Sequence, residues 1–190
     1  MTEKQIYWKE FYDKNAETIN NPSNFCYFIM NYFLSNNLKI MDAGCGNGRD
    51  SYLLATNNNV VGIDISSYLP KNTDNCFFIT DNFCTYNKDE FDLVYSRFSF
   101  HSITDEEQEI FVKSINKVNT YLCIETRSNK SNNDYRYYGD AHYRNLTDSV
   151  YLKKLLIDNN FEILHFEEND GLAVYKNENP ICIRVICRKT

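Results

Sequence analysis

Apolar positions follow two different periods along this chain, and the change from one to the other near residue 38 divides the sequence. Ahead of it, Ile6, Trp8, Phe11 and Tyr12, and then Phe25, Phe28, Ile29, Tyr32 and Phe33, fall at helical spacing and predict helices over about 3–18 and 22–35. Asn21 is placed to cap the second helix, and Pro22 suits its first turn, where a missing N–H costs nothing. Beyond 38, short apolar runs alternate with helical stretches. Strands are predicted at 38–42, 60–64, 76–80, 92–97 and 120–126, helices at 49–56, 105–118 and 147–159, and two late strands near 161–167 and 181–188. Such alternation predicts the α/β class, a mostly parallel sheet covered by helices on both faces.

Two stretches break the rhythm. Residues 65–75 hold Pro70 and little helical signal, so any helix there is short or missing. Residues 127–146 form the longest run without periodicity, and their tyrosines, arginines and histidine favour a functional loop over a disordered one. At 190 residues the chain is expected to be one domain, with 1–37 as an N-terminal helical cap and 38–190 as the core.

Composition narrows the function. With 15 Tyr and 13 Phe, both the interior and any acceptor pocket are expected to be rich in aromatic rings. A net charge of -6 opposes the electrostatic attraction on which nucleic-acid polymer binding depends. No basic start leads into an apolar run and no stretch nears the roughly 18 apolar residues of a membrane span, which argues for a cytoplasmic protein with no membrane partner. The seven cysteines are odd in number, lack a C-x-x-C pair and mostly sit in apolar runs, so they read as buried thiols, with neither disulfide framework nor metal site. Cys45 differs in standing inside a glycine-rich turn.

That turn carries the chemistry. Leu38 to Ala43 reads as a strand, Gly44-Cys45-Gly46-Asn47-Gly48 as a tight loop, and Arg49 onward as a helix. Glycines allow close backbone approach to a ligand, and the first strand-to-helix turn of an open α/β sheet lies at the ligand-binding edge. A dinucleotide site would want G-x-G-x-x-G, but Arg49 stands where the third glycine belongs. Asp42 at the strand end followed by this loop instead resembles motif I of the class I S-adenosylmethionine-dependent methyltransferases. The string GCGNGRDS is similar to the tellurite-resistance type and related small-molecule enzymes.

The resemblance covers roughly 38–126 in order and spacing. It implies a Rossmann-like, mostly parallel seven-stranded sheet with an antiparallel last strand, and S-adenosyl-L-methionine as cofactor. By that likeness Asp42, Gly44, Cys45 and Gly46 hold the methionyl part, and Asp64, with Ile65 after it, accepts from both ribose hydroxyls. Asp81 accepts from the adenine amino group, Asn82 supplies a backbone N–H to the ring, and Ser96 completes the cofactor-binding set, with Arg97 and His101 beside the expected methyl position.

The fourth strand lacks the Asp/Asn-Pro-Pro-Tyr/Phe signature of amino methyltransferases acting on bases or glutamine. Candidates around the acceptor are Arg97 and His101 after that strand, Glu125 and Arg127 at the end of the fifth, and Asp134, Tyr138, His142 and Arg144 in the long loop. Histidine titrates near neutrality and suits a base, while arginines fork phosphate or carboxylate. Residues 96–103, 125–128 and 140–145 resemble methyltransferases of surface-polysaccharide gene clusters. The expectation is O-methylation of a small polar or anionic acceptor such as a sugar, nucleotide sugar or phosphorylated metabolite. The rival readings are a detoxifying enzyme for tellurite or thiol-like nucleophiles, which needs no base, and a cofactor-binding partner subunit without turnover.

Overall fold

Strand ends decide where chemistry sits in an α/β sheet, so the order of the strands comes first. The computed structural model describes residues 2–34, 37–68, 70–131, 137–138 and 142–190, with the backbone alone at 3, 137, 138, 142 and 143. Seven strands make one sheet: β1 (Lys39–Ala43), β2 (Asn59–Asp64), β3 (Cys76–Thr80), β4 (Leu93–Arg97), β5 (Tyr121–Arg127), β8 (Phe161–Asn169) and β9 (Cys182–Lys189), in the spatial order β3-β2-β1-β4-β5-β9-β8. β1, β2, β3, β4 and β5 run parallel, and β9 enters antiparallel between β5 and β8. β6 (Tyr137–Tyr138) and β7 (His142–Tyr143) form a separate ribbon inside the long connection after β5. This is the Rossmann-like sheet that the alternation and the family likeness lead one to expect.

The central strands bury both faces, as a covered parallel sheet must, while β3 and β8 at the edges leave one face partly exposed. Met41, Ile63, Val94, Leu122 and Val185 pack on one side against Phe111 and Val112 of α4 (Asp105–Lys113) and Leu152 and Leu156 of α5 (Ser149–Asp158). Ile40, Val60, Tyr95, Cys123 and Ile186, at the alternate positions, pack on the other side against Phe25 and Ile29 of α2 (Asn24–Tyr32) and Leu54 of α3 (Arg49–Leu54). All seven cysteines are free and buried. No helix among the described residues is long and apolar enough to cross a membrane.

Local chemistry sets the helix ends. α1 (Glu3–Asn15) opens with a reciprocal capping box between Thr2 and Gln5, and α4 with the same device between Thr104 and Glu107. α2 departs from expectation: Ser23, not Asn21, is its cap, accepting from the Cys26 N–H at 3.1 Å, and Pro22 stays outside the helix. Ser23 holds that place because it also donates to Asp50. α4 stops at Lys113 instead of 118, since the Ser114 hydroxyl is engaged by buried Lys88 and the chain must turn into β5. Between β2 and β3 no helix forms among the described residues.

Candidate functional site

The carboxyl ends of β1, β2, β4 and β5 open into a cleft of about 570 Å³, within the ~300–1,000 Å³ typical of small-molecule sites. Its floor is the glycine loop. Gly44 and Cys45 donate their N–H groups to the Ile63 carbonyl, which pins the turn to β2. Gly44 (φ +78°) and Gly46 (φ +55°) take conformations that side chains resist, and each is crowded. A methyl on Gly44 would run into Ser99, and one on Gly46 into the Tyr12 ring and hydroxyl.

Three carboxylates surround this loop. Asp42 is buried, with its Oδ2 accepting from Ser51 Oγ at 2.5 Å; burial pushes it up to about 7, against the pull of that hydroxyl. Asp50 accepts from the Ser23 N–H (2.7 Å), Ser23 Oγ (2.6 Å) and the Tyr95 hydroxyl (2.7 Å). Asp64 is fixed by the Gly46 N–H at 2.9 Å and the Ser66 N–H at 2.8 Å; burial raises it and these N–H groups work against the rise. Its carboxylate lines the cleft, where it can accept from a ligand hydroxyl. Ile65 also lines the wall.

The remaining cofactor candidates sit differently. Asp81 and Asn82 follow β3 outside the lining of the cleft; Asp81 is exposed, and its Oδ1 accepts from the Asn82 N–H at 2.7 Å. Ser96 is fully buried and bonds Ser99 Oγ at 2.7 Å, while Ser99 donates to the Ala43 carbonyl, so this pair rivets β4 to β1.

On the acceptor side, Arg97, His101, Glu125, Arg127 and Arg144 all line the cleft. Glu125 is buried between two guanidiniums: it accepts from Arg97 Nε at 3.1 Å and from Arg184 Nε at 2.7 Å. Burial raises Glu125, opposed by both arginines; burial would lower Arg97, but Glu125 holds it above its ordinary value. His101 is buried, and its Nδ1 accepts the Arg127 N–H at 3.2 Å, which puts the ring proton on Nε2. Arg127 donates to Glu178 at 2.7 Å. Asp134 lies outside the described residues. So do the side chains of Tyr138 and His142, although the β7 backbone at His142 pairs with Tyr138.

Several cleft residues were not among the candidates named from the sequence, although the family likeness implied an N-terminal cap over the cofactor side. α1 lies over the mouth, contributing Tyr7, Trp8, Phe11 and Tyr12, and Trp8 stacks on Tyr12 with centroids 6.0 Å apart. Asn47 ties this cap down by donating to the carbonyls of Ala16 (3.0 Å) and Ile19 (2.6 Å). The far wall is the β8–β9 connection, with Leu172, Tyr175, Lys176 and Glu178. Helical spacing marked the apolar face of α1, but nothing local says that it faces a ligand. Arg184 was visible only as a charge interrupting an apolar strand.

Residues 40–120 match the family model for a methyltransferase domain. That stretch carries a methyltransferase domain, and the sheet built around it has the Rossmann-like methyltransferase fold. No curated protein matches it. Among solved structures, it is similar to an S-adenosylmethionine-dependent methyltransferase of Methanosarcina mazei (TM-score 0.68, 19% identity, 85% of this chain and 96% of that one). It is also similar to the Burkholderia thailandensis 1,6-didemethyltoxoflavin N1-methyltransferase, which was crystallised with S-adenosylhomocysteine (TM-score 0.71, 14% identity, 100% and 92%). A third is the magnesium protoporphyrin IX methyltransferase of Synechocystis PCC 6803 with bound S-adenosylmethionine (TM-score 0.64, 15% identity, 100% and 99%). The residues of the cleft fit S-adenosyl-L-methionine, the cofactor that the family likeness implies. The glycine loop lines the cleft with bare backbone at Gly44, and the buried carboxylates of Asp42, Asp50 and Asp64 complement a cationic ligand.

Proposed function

We propose that this methyltransferase O-methylates a small polar or anionic acceptor, such as a sugar, nucleotide sugar or phosphorylated metabolite, in the cytoplasm. The observation that carries the reading is the division of charge along the cleft. Asp42, Asp50 and Asp64 stand on β1, the start of α3 and β2 with Arg49 beside them, whereas three arginines, Arg97, Arg127 and Arg144, against two carboxylates, Glu125 and Glu178, stand at the other end. In a chain of net charge -6, arginines collected at one end of a cleft mark where an anion docks.

When bound, the cofactor supplies an electrophilic methyl group on a sulfonium. The chain aligns and shields. Asp64 is held rigid to accept ribose hydroxyls, Asp42 faces the methionyl end, and Gly44 and Gly46 let the backbone come close. α1 roofs the cleft with aromatic rings that exclude water. Deprotonation of a hydroxyl acceptor falls to His142 or His101, of which His101 lines the cleft.

The test is turnover of labelled cofactor against a panel of sugars, nucleotide sugars and sugar phosphates; silence across the panel would count against the reading. Activity that survives both His101→Ala and His142→Ala would shift the assignment to a detoxifying enzyme for tellurite or thiol-like nucleophiles. Tight cofactor binding with no methylated product from a metabolite extract would shift it to a non-catalytic partner subunit.

A further inference from the structure

The arginines beside β4 and β5 are arranged more elaborately than a charged wall requires. Glu125 is 1% exposed, and two guanidiniums divide its single charge. Arg97 spends only Nε on it; the two terminal nitrogens make no hydrogen bond with any described residue, and the side chain lines the cleft. On the other side of Glu125, Arg184 is fully engaged. Its Nε holds Glu125, one terminal nitrogen donates to the Leu172 carbonyl at 2.9 Å, and the other stands 3.8 Å from the partly exposed Glu167. Arg127 reaches Glu178 by one terminal nitrogen, while its Nε–H is buried with no hydrogen-bond partner among the described residues. Asp50, the remaining acid near Arg97, is occupied by Ser23 and Tyr95.

Phe98 connects the two cleft arginines. Its ring lies 4.3 Å from the Arg97 guanidinium carbon and 5.4 Å from that of Arg127, with His101 edge-on at 5.2 Å. The residue adopts φ +58°, a conformation that bulky side chains avoid and that persists where surroundings impose it, often at functional sites. Planar guanidiniums set against a ring keep their edges free for a forked contact to an oxyanion.

We propose that Arg97 and Arg127, set by Phe98, form an anion subsite that takes a carboxylate or phosphate of the acceptor, and that Arg184 is a positioning residue acting on Arg97 through Glu125. The proposal rests on the methyltransferase reading of this cleft and names what the acceptor must carry. With Arg184 present, one oxygen of Glu125 is taken and Arg97 is held by Nε alone. Without it, both oxygens are open to Arg97, which then folds onto Glu125 in a two-bond pair and leaves the cleft.

The experiment loads the protein with S-adenosylhomocysteine and titrates it with inorganic phosphate, sodium acetate or sodium chloride, following Arg Nε–H resonances and heat. Phosphate or acetate, but not chloride, is expected to shift the Arg97 signal. A response to phosphate alone identifies a phosphorylated acceptor, and to acetate alone a carboxylate. Arg97→Met and Arg184→Met should each weaken that affinity at least tenfold while S-adenosylhomocysteine binding stays within twofold, and Arg184→Lys should restore part of it. Arg184→Met should also move the Arg97 Nε–H signal in the anion-free protein, which a merely structural loss would not do. Should Arg184→Met fail to fold, Arg97→Met and Phe98→Leu decide. Loaded wild type that ignores both anions, or binding that Arg97→Met leaves unchanged, overturns the subsite alone; wild type that takes up no S-adenosylhomocysteine overturns the reading beneath it.

Discussion

Asp42 shows how one buried carboxylate couples cofactor binding to pH. Its value of about 7 lies above its ordinary 3.8, so between those values the folded protein holds a proton that the unfolded chain has lost. The cofactor-free protein therefore loses some stability as pH rises through that window. A cation in the cleft favours the ionised form, and S-adenosylmethionine affinity is expected to tighten as pH rises through about 7. Calorimetry between about pH 6 and 8.5 checks this; in Asp42→Asn the profile should be flat. Gly46 tests the cradle by shape instead of charge. Gly46→Ala adds a methyl against Tyr12 at a positive φ, so S-adenosylhomocysteine affinity should fall more than tenfold. Tyr12→Ala in the same chain should recover part of the loss, because it removes the overlap but not the backbone strain.

At the level of elements, α2 and α1 are bound to the site by single side chains. Ser23 caps α2 and donates to Asp50, so Ser23→Ala removes two roles at once and should cost about 1–2 kcal/mol in urea unfolding, besides loosening Asp50. Asn47 holds the end of α1 by two carbonyls from inside the glycine loop. Asn47→Ala is expected to raise amide hydrogen exchange across α1 and to speed cofactor release, with the sheet amides unchanged; uniform exchange rates would sink that link. The strands and most helices were legible because their period is local. The cap of α2 was misplaced because Asn21 and Ser23 are equally good caps by type, and only the contact with Asp50, 27 residues away, chooses Ser23.

For the molecule as a whole, Lys88 is a fully buried lysine satisfied by the Cys84 carbonyl (3.1 Å), the Tyr86 carbonyl (2.9 Å) and Ser114 Oγ (2.8 Å). Burial lowers it from 10.5 to about 8. Between these values the unfolded chain binds a proton that the folded one does not, so stability should climb with pH across the window. Urea midpoints from about pH 7.5 to 10 should show the climb in wild type and none in Lys88→Met. The sequence by itself determined the alternating elements, the mostly parallel sheet, the glycine turn and the acids at the strand ends, since each is written in neighbouring residues, and the family likeness implied the reversed last strand. Only the tertiary structure decided which α1 side chains roof the cleft, that the β8–β9 connection walls it, and that Tyr95 joins Asp50 across 45 residues and Arg184 joins Glu125 across 59. The reason is physical: a buried charge must find its partner in space, and the order of strands in the sheet, which places β9 next to β5, determines which distant residue that is.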